Sequence, residues 1–419
     1  MRIQKKAILQ YYLLYLLFLS QGAAMQLNSQ SLWDLLMFAS AAIILLRHFR
    51  QISSTLIITI GVMLVGVFFT RFTNGGIGIE VIIRYIGRII SAYAVFFIDK
   101  NRCLSRFVKM VKFFAYLSLA HFILFNESKG LIPIVLNMRG YTQGGVTFDY
   151  SLFYAYNNAG VNDEFIRNTS VFTEPALYAM VLVFTLYICL YKSNLLFCTT
   201  KERNYSISLL LITLITTFST TGFVAALVLF IIYWFNKSDH SMRKRITKIL
   251  CLCIIVAGIE IIINGNDSLI LNLFVYKLFT GSLDSGLTFD LNAGTGRYRV
   301  SAITTSWSAF LNNPFGLGYE KLQNLIIGSS LFGEASAGGG LVRELAVFGA
   351  ITSFGFFVYL LLGVKKSISN KFELIAFILI YIICTMSSST MFYAIPILVA
   401  SAGYFDFVRK DEYDDIQKN

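Results

Sequence analysis

Apolar runs of roughly 17–25 residues recur along this chain, the length an α-helix needs to cross the hydrocarbon core of a bilayer. Of the 419 residues, 56% are hydrophobic and only 14% are charged. Mean hydropathy is +0.67. A soluble domain of this length could not cover so much apolar surface, so the chain reads as an all-α polytopic membrane protein. Spans are expected near 7–25, 31–46, 52–70, 77–98, 108–125, 172–191, 205–218, 221–235, 249–264, 340–363, 372–386 and 391–406. The stretch 205–235 is too long for one helix, and the polar run Ser219-Thr220-Thr221-Gly222 offers a break in its middle.

Charge sets the orientation. Basic clusters fall at Arg2/Lys5/Lys6, Arg47/Arg50, Lys100–Lys112, Lys192–Arg203, Lys237–Lys248, Lys365–Lys371 and Arg409–Lys418. With these spans all of them lie on one face, which the positive-inside rule makes cytoplasmic. The alternate short connections carry only Arg71. About twelve spans with both termini inside is the expectation. Without the break near Ser219 the basic 237–248 segment would lie outside, so charge supports the break. Cytoplasmic loops beside anionic lipid account for the net charge of +12, and no nucleic-acid partner is implied.

The N-terminal stretch Met1–Met25 has a basic start and an apolar core, and we read it as a retained first span rather than a cleaved signal. None of the six cysteines lies in a large outer loop, so no disulfides are expected. Cys251 and Cys253 read as helix-packing residues, because no histidine or further cysteine converges on them.

Two connections are long: 126–171 and 265–339, both on the outer face. Their aromatic content argues for order, by packing or by stacking on sugar rings. Arg299–Asn312 carries Val300, Ile303, Trp307 and Phe310 at helical spacing, ended by Asn313-Pro314. This predicts a surface helix near 299–312 with Arg297 and Arg299 at its start, where backbone N–H groups favour a phosphate.

Arg167 and Arg297 are the leading candidates for a site. Each precedes an apolar segment on the same face, and a guanidinium binds pyrophosphate in a planar, bidentate way. The plain alternative is a loop arginine donating to carbonyls. Glu174-Pro175 opens a span as either a helix-start signal or a general base. Glu80, Arg84 and Arg88 recur every four residues inside a span; Glu80 and Arg84 have the spacing of an ion pair. Such residues face a bundle interior or a wet cavity. Arg343-Glu344, at the outer start of another span, is either an interfacial pair or part of an anion pocket. His121, the one histidine outside cytoplasmic segments, reads as structural. There is no GxxxxGK[ST], no HExxH and no paired-aspartate motif, so no P-loop, metal site or cofactor is expected.

GTGRYRV…W…NNPFGLGYE, spanning Gly294–Glu320, resembles the outer-loop signature of O-antigen polymerases of the Wzy type and of the related ligases. The matching residues are Gly296-Arg297, Trp307, Pro314, Gly316 and Gly318. RNTSVFTEPALY is similar to the family's other signature, through Arg167, Phe172, Glu174 and Pro175. GGGLVRELAVFGAITSFG is similar to its helix after the large loop, with Gly349 at the recurrent glycine. The ligases carry a histidine that would align near Gly338; this chain has none there, which favours a polymerase and leaves the general base unassigned.

The resemblance implies a GT-C-like membrane glycosyltransferase in a bacterial inner membrane. It would join undecaprenyl-pyrophosphate-linked repeat units, needing neither nucleotide nor metal. Arg167 and Arg297 would stabilise the leaving pyrophosphate, with Glu174 orienting an arginine or taking the proton. Arg299, Arg84, Arg88 and Arg343 would contact substrate, and a chain-length regulator and a flippase are expected partners. The alternatives are a ligase that moves finished glycan, or a flippase for the lipid-linked unit.

Overall fold

The structure, a computed structural model, describes residues 2–74, 77–128, 139–143, 146–157, 166–197, 199–237, 279–282, 286–289, 294–329, 339–368, 370–387 and 390–405. Each expected span except 249–264, which lies outside the described residues, coincides with a helix. In order these are α1 (Arg2–Leu19), the short α2 (Ala24–Asn28), α3 (Gln30–Arg47), α4 (Ser54–Asn74), α5 (Ile79–Ile98) and α6 (Lys100–Glu127). There follow α7 (Pro175–Tyr191), the single turn α8 (Ser193–Leu196), α9 (Thr200–Thr216) and α10 (Thr220–Lys237). The outer segment holds α11 (Gly294–Asn312) and α12 (Tyr319–Ser329), and α13 (Gly340–Ser367), α14 (Lys371–Met386) and α15 (Ala394–Ala402) close the chain.

Among the described residues five helices are long and apolar enough to cross a membrane: α3, α4, α5, α6 and α13. The protein is therefore membrane-embedded and mostly helical, an arrangement that satisfies backbone polar groups within each segment. α7 and α10 are apolar but shorter. α15 has only nine residues, about 13 Å of helix, well under the expected run 391–406. The expected polar break is present: Thr217–Ser219 separates α9 from α10, with Phe218 at φ 46°.

α7 is the centre of the bundle. It is apolar on every side, and every residue from Leu177 to Leu190 is buried. It packs against α9, α10, α6, α14 and α15. A helix without a polar face needs neighbours all round. α5 plays the same part for the other half, packing on α3, α15, α1 and α6, while α13 lies along α4 and α15.

The protein is mostly helical, as expected, and its outer connections add a few short strands. The first long connection folds part of itself into an antiparallel sheet in the order β1 (Arg139–Gln143), β2 (Val146–Tyr150), β3 (Ala155–Asn157). The second carries a hairpin of β4 (Phe279–Ser282) and β5 (Gly286–Phe289). Tyr141, Phe148, Tyr150 and Tyr156, part of the aromatic content of that connection, stand in these strands, where β-propensity favours them.

Candidate functional site

The polar residues of this bundle gather on α5. Arg84, Tyr85 and Arg88 share about one turn and link three groups of helices. Arg84 Nε pairs with Asp34 Oδ2 of α3 at 2.8 Å, and Asp34 Oδ1 also accepts from Gln26 Nε2 at 3.1 Å. The expected Glu80–Arg84 pair does not form: Glu80 is exposed, and the buried Asp34 offers a drier partner. Arg88 is buried. Its Nη1 donates to the Phe392 carbonyl at 2.9 Å and its Nη2 to the Ser20 carbonyl, while Nε has no partner. Ser20 follows the last residue of α1 and Phe392 precedes α15, so one guanidinium holds two chain breaks. The break after α1 is itself tied to the Arg167 segment, since Thr173 N donates to the Gly22 carbonyl at 3.2 Å.

Arg88 also lies over the Tyr85 ring, 5.5 Å from its centroid. The Tyr85 hydroxyl is 2.9 Å from that of Tyr319, the first residue of α12. Both phenols reach Glu344 Oε1 of α13, Tyr85 at 3.1 Å and Tyr319 at 2.8 Å. Arg343 lies over the Tyr319 ring at 5.5 Å and donates from Nη2 to Gln323 Oε1 at 3.0 Å. Two of the candidate arginines, Arg88 and Arg343, thus belong to one network, and Arg84 lies beside it on α5, paired with Asp34. Glu344 is 0% exposed, and its Oε2 has no hydrogen-bond partner. Burial and the Glu344 carboxylate both push the Tyr319 phenol well above its ordinary pKa, so it remains a donor.

A backbone clasp puts Tyr319 there. α13 is interrupted at Gly349, whose φ of +73° and ψ of 178° break the helical ladder. The carbonyls freed by the break accept from the turn before α12: Leu317 N to Ala346 O at 2.8 Å and Gly318 N to Val347 O at 3.1 Å. Ala350 N returns a bond to Pro314 O at 2.8 Å. From α4, the Thr70 hydroxyl reaches the Phe315 and Phe348 carbonyls at 2.5 and 3.2 Å, and Asn74 Nδ2 the Gly316 carbonyl at 2.6 Å. The two backbones approach too closely for side chains. A Cβ at Gly349 would lie 2.6 Å from the Gly316 nitrogen, and one at Gly316 would lie 2.6 Å from the Val347 oxygen. The glycines of PFGLG and Gly349 therefore serve one contact, which fixes α12 and the end of α11 on the bundle.

Arg167 lies apart from this network. It is half-buried, with Nε donating to the Thr217 carbonyl at 3.2 Å and Nη2 to the Phe218 carbonyl at 2.8 Å. Asn168 continues the anchor: its N–H donates to the Thr216 carbonyl at 3.0 Å, and its Nδ2 to the Thr216 hydroxyl at 2.9 Å. A cation on the last carbonyls of α9 is favoured by the helix dipole. Glu174 is exposed and sits at the N-cap of α7, with Pro175 at the first helical position. Arg297 and Arg299 fall in the first two turns of α11, which starts at Gly294, five residues before the expected boundary. Only the backbone of Gly294–Val300 is described, so these two side chains lie outside the described residues.

The face of α11 toward α12 bounds a groove of about 390 Å³, lined by Thr304, Thr305, Ser308, Asn312, Asn313 and Leu325. Hydroxyl and amide side chains share it with the apolar Ala309 and Leu325, and no lining residue is charged. His121 is structural in its contacts: its Nδ1 donates to the Leu117 carbonyl at 2.7 Å, and its ring stacks on Tyr154. Among the described residues no three of His, Cys, Asp and Glu converge as metal ligands would.

Sequence reasoning missed Asp34, Tyr85 and Tyr319. Asp34 had a signal, being the one acid in its apolar span, by the rule that singled out Arg84 and Arg88. The tyrosines had none, because a phenol inside an apolar helix resembles ordinary core. No protein-family model matches the chain, and a search of curated proteins returned no match.

Proposed function

We propose that this protein is a membrane-embedded glycosyltransferase that joins oligosaccharide repeat units carried on a polyprenyl pyrophosphate, the polymerase reaction of O-antigen-type polysaccharides. The chain would then sit in a bacterial inner membrane in a GT-C-like arrangement, with about twelve spans and both termini cytoplasmic. An acceptor hydroxyl attacks the anomeric carbon of the donor glycan, and lipid pyrophosphate leaves with the bonding electrons. The leaving group supplies the driving force, so the reaction calls for positioned cations rather than a nucleotide.

The clasp is the observation that supports this reading most. The Pro314–Gly318 turn and Gly349, widely separated in sequence, meet as one contact that anchors the helix bearing Arg297 and Arg299. The start of that helix offers unpaired backbone N–H groups to an anion. Arg167, fixed on the carbonyls of the broken α9–α10 turn, is a second preorganised guanidinium. The uncharged groove between α11 and α12 suits sugar hydroxyls. Embedding in the membrane suits a lipid-linked substrate.

Purified protein in liposomes, given pyrophosphate-linked repeat units, should produce a ladder of polymer. Arg297→Lys keeps the charge and loses the fork, and turnover should fall on the order of 100-fold. Arg167→Lys should lose a comparable factor and some stability, because two carbonyls lose their donor. Wild-type ladders from both variants at equal protein would remove the arginines from the reaction.

A further inference from the structure

We propose that Tyr319 and Glu344 form a proton-transfer pair, with the Tyr319 phenol receiving the proton of the attacking sugar hydroxyl and Glu344 holding it. The assignment rests on the polymerase reading above and supplies the base that reading lacks.

The geometry is specific. Tyr319 is the half-buried member of the cluster, whereas Tyr85 and Glu344 are buried. It follows directly on the clasped PFGLG turn, so its backbone is fixed by Leu317 N and Gly318 N on α13. Its hydroxyl lies 2.8 Å from Glu344 Oε1, and Tyr85 reaches the same oxygen from the other side. One carboxylate oxygen thus takes both phenols; the Thr390 side chain also lies beside the carboxyl, and Oε2, equally buried, has no donor within hydrogen-bond distance. No cation within ion-pair distance neutralises Glu344 among the described residues. Arg343, its neighbour in the chain, is turned onto the Tyr319 ring and Gln323. A buried carboxylate with no ion pair is a costly arrangement for structure alone, and a proton is the smallest charge that relieves it.

As the acceptor oxygen bonds to the anomeric carbon, its proton passes to the Tyr319 oxygen, and the phenol's own proton passes to Glu344 Oε1. The bond from anomeric carbon to phosphate oxygen breaks, and its electron pair leaves on the pyrophosphate. Tyr319 ends neutral and Glu344 ends protonated; loss of that proton to solvent resets the pair. The titratable and charged groups that face Glu344 are Tyr85 on α5, Tyr319 on α12, Arg343 on α13 and Tyr381 on α14.

The test compares wild type, Glu344→Gln and Tyr319→Phe in liposomes holding pyrophosphate-linked repeat units, with rates measured against pH and thermal midpoints measured in parallel. Glu344→Gln should lower kcat on the order of 100-fold, leave KM for the lipid-linked donor unchanged and flatten the acid limb of the rate profile. Tyr319→Phe should lower kcat with the same limb retained. Glu344→Asp should recover part of the rate. A Glu344→Gln enzyme with the wild-type rate, or one whose loss follows its loss of folded protein with the pH profile unchanged in shape, overturns the pair while the polymerase reading stands. A wild-type protein that links no repeat units removes both.

Discussion

Two buried carboxylates lie at opposite ends of α13, separated by roughly 35 Å of helix, and they are treated differently. Near the C-terminal end, Glu373 of α14 holds Lys192 Nζ at 2.6 Å and accepts from the Tyr187 hydroxyl at 3.3 Å. Lys192 also donates to the Ser367 carbonyl. Arg106 and Asp99 form a similar pair at 3.0 Å, completed by Gln10. Near the N-terminal end, Glu344 has two phenols on Oε1, the Thr390 side chain nearby and no paired cation. The first arrangement neutralises charge and closes the bundle. The second leaves charge and hydrogen-bonding capacity unspent, as do Arg88 Nε and Arg343 Nε beside it. Unpaired atoms occur at both ends, since the Tyr191 and Ser367 hydroxyls beside Lys192 also lack partners; the difference is the cation, present on Glu373 and absent from Glu344, and an unneutralised buried carboxylate suits a site that handles protons.

The contrast can be broken most forcefully at the paired end. Glu373→Ala leaves Lys192 buried without its carboxylate and should cost about 3–5 kcal/mol, read as a large drop in thermal midpoint in detergent. Glu344→Gln should move that midpoint little, because the amide oxygen still accepts from both phenols and no cation is stranded. Equal losses of stability from the two changes would erase the distinction.

Gly349→Ala comes next. Its Cβ would be forced against the Gly316 nitrogen at a φ of +73°, and a loss of about 3 kcal/mol or an unfolded outer segment is expected. Protease protection of the α11–α12 segment should fall with it. Gly61→Ala is the matching control in α4. Nothing lies within 4 Å of its added methyl, and a gain of under about 1 kcal/mol is expected from helix propensity alone. A Gly349→Ala protein as stable as Gly61→Ala would show the clasp to be dispensable.

Much of the fold was legible because a bilayer simplifies the code: length and apolarity located the helices, and charge identified the break at Ser219. The helix-terminal Glu174-Pro175 and the helix expected at 299–312 were readable for the same local reasons, although that helix starts five residues earlier, at Gly294. Two things were not. Glu80 has the right spacing for Arg84, but spacing along one helix carries no information about Asp34 on another, and burial decided the pairing. The glycines of PFGLG were readable as a motif, yet their role is contact with Gly349, a long-range match that local sequence cannot express. Tyr319 was hidden by the same limit. Arg167 was read as a ligand for anions or as a donor to loop carbonyls, and its described bonds are of the second kind, on a helix end that itself was foreseen.

The most direct measurement is the glycan ladder made by the purified wild-type protein in liposomes from pyrophosphate-linked repeat units alone. The account predicts a series of bands, each one repeat longer than the last, with release of free lipid pyrophosphate in step with each bond formed. Single repeats that remain unextended, whether untouched, moved to the opposite leaflet or transferred whole to another acceptor, would contradict it.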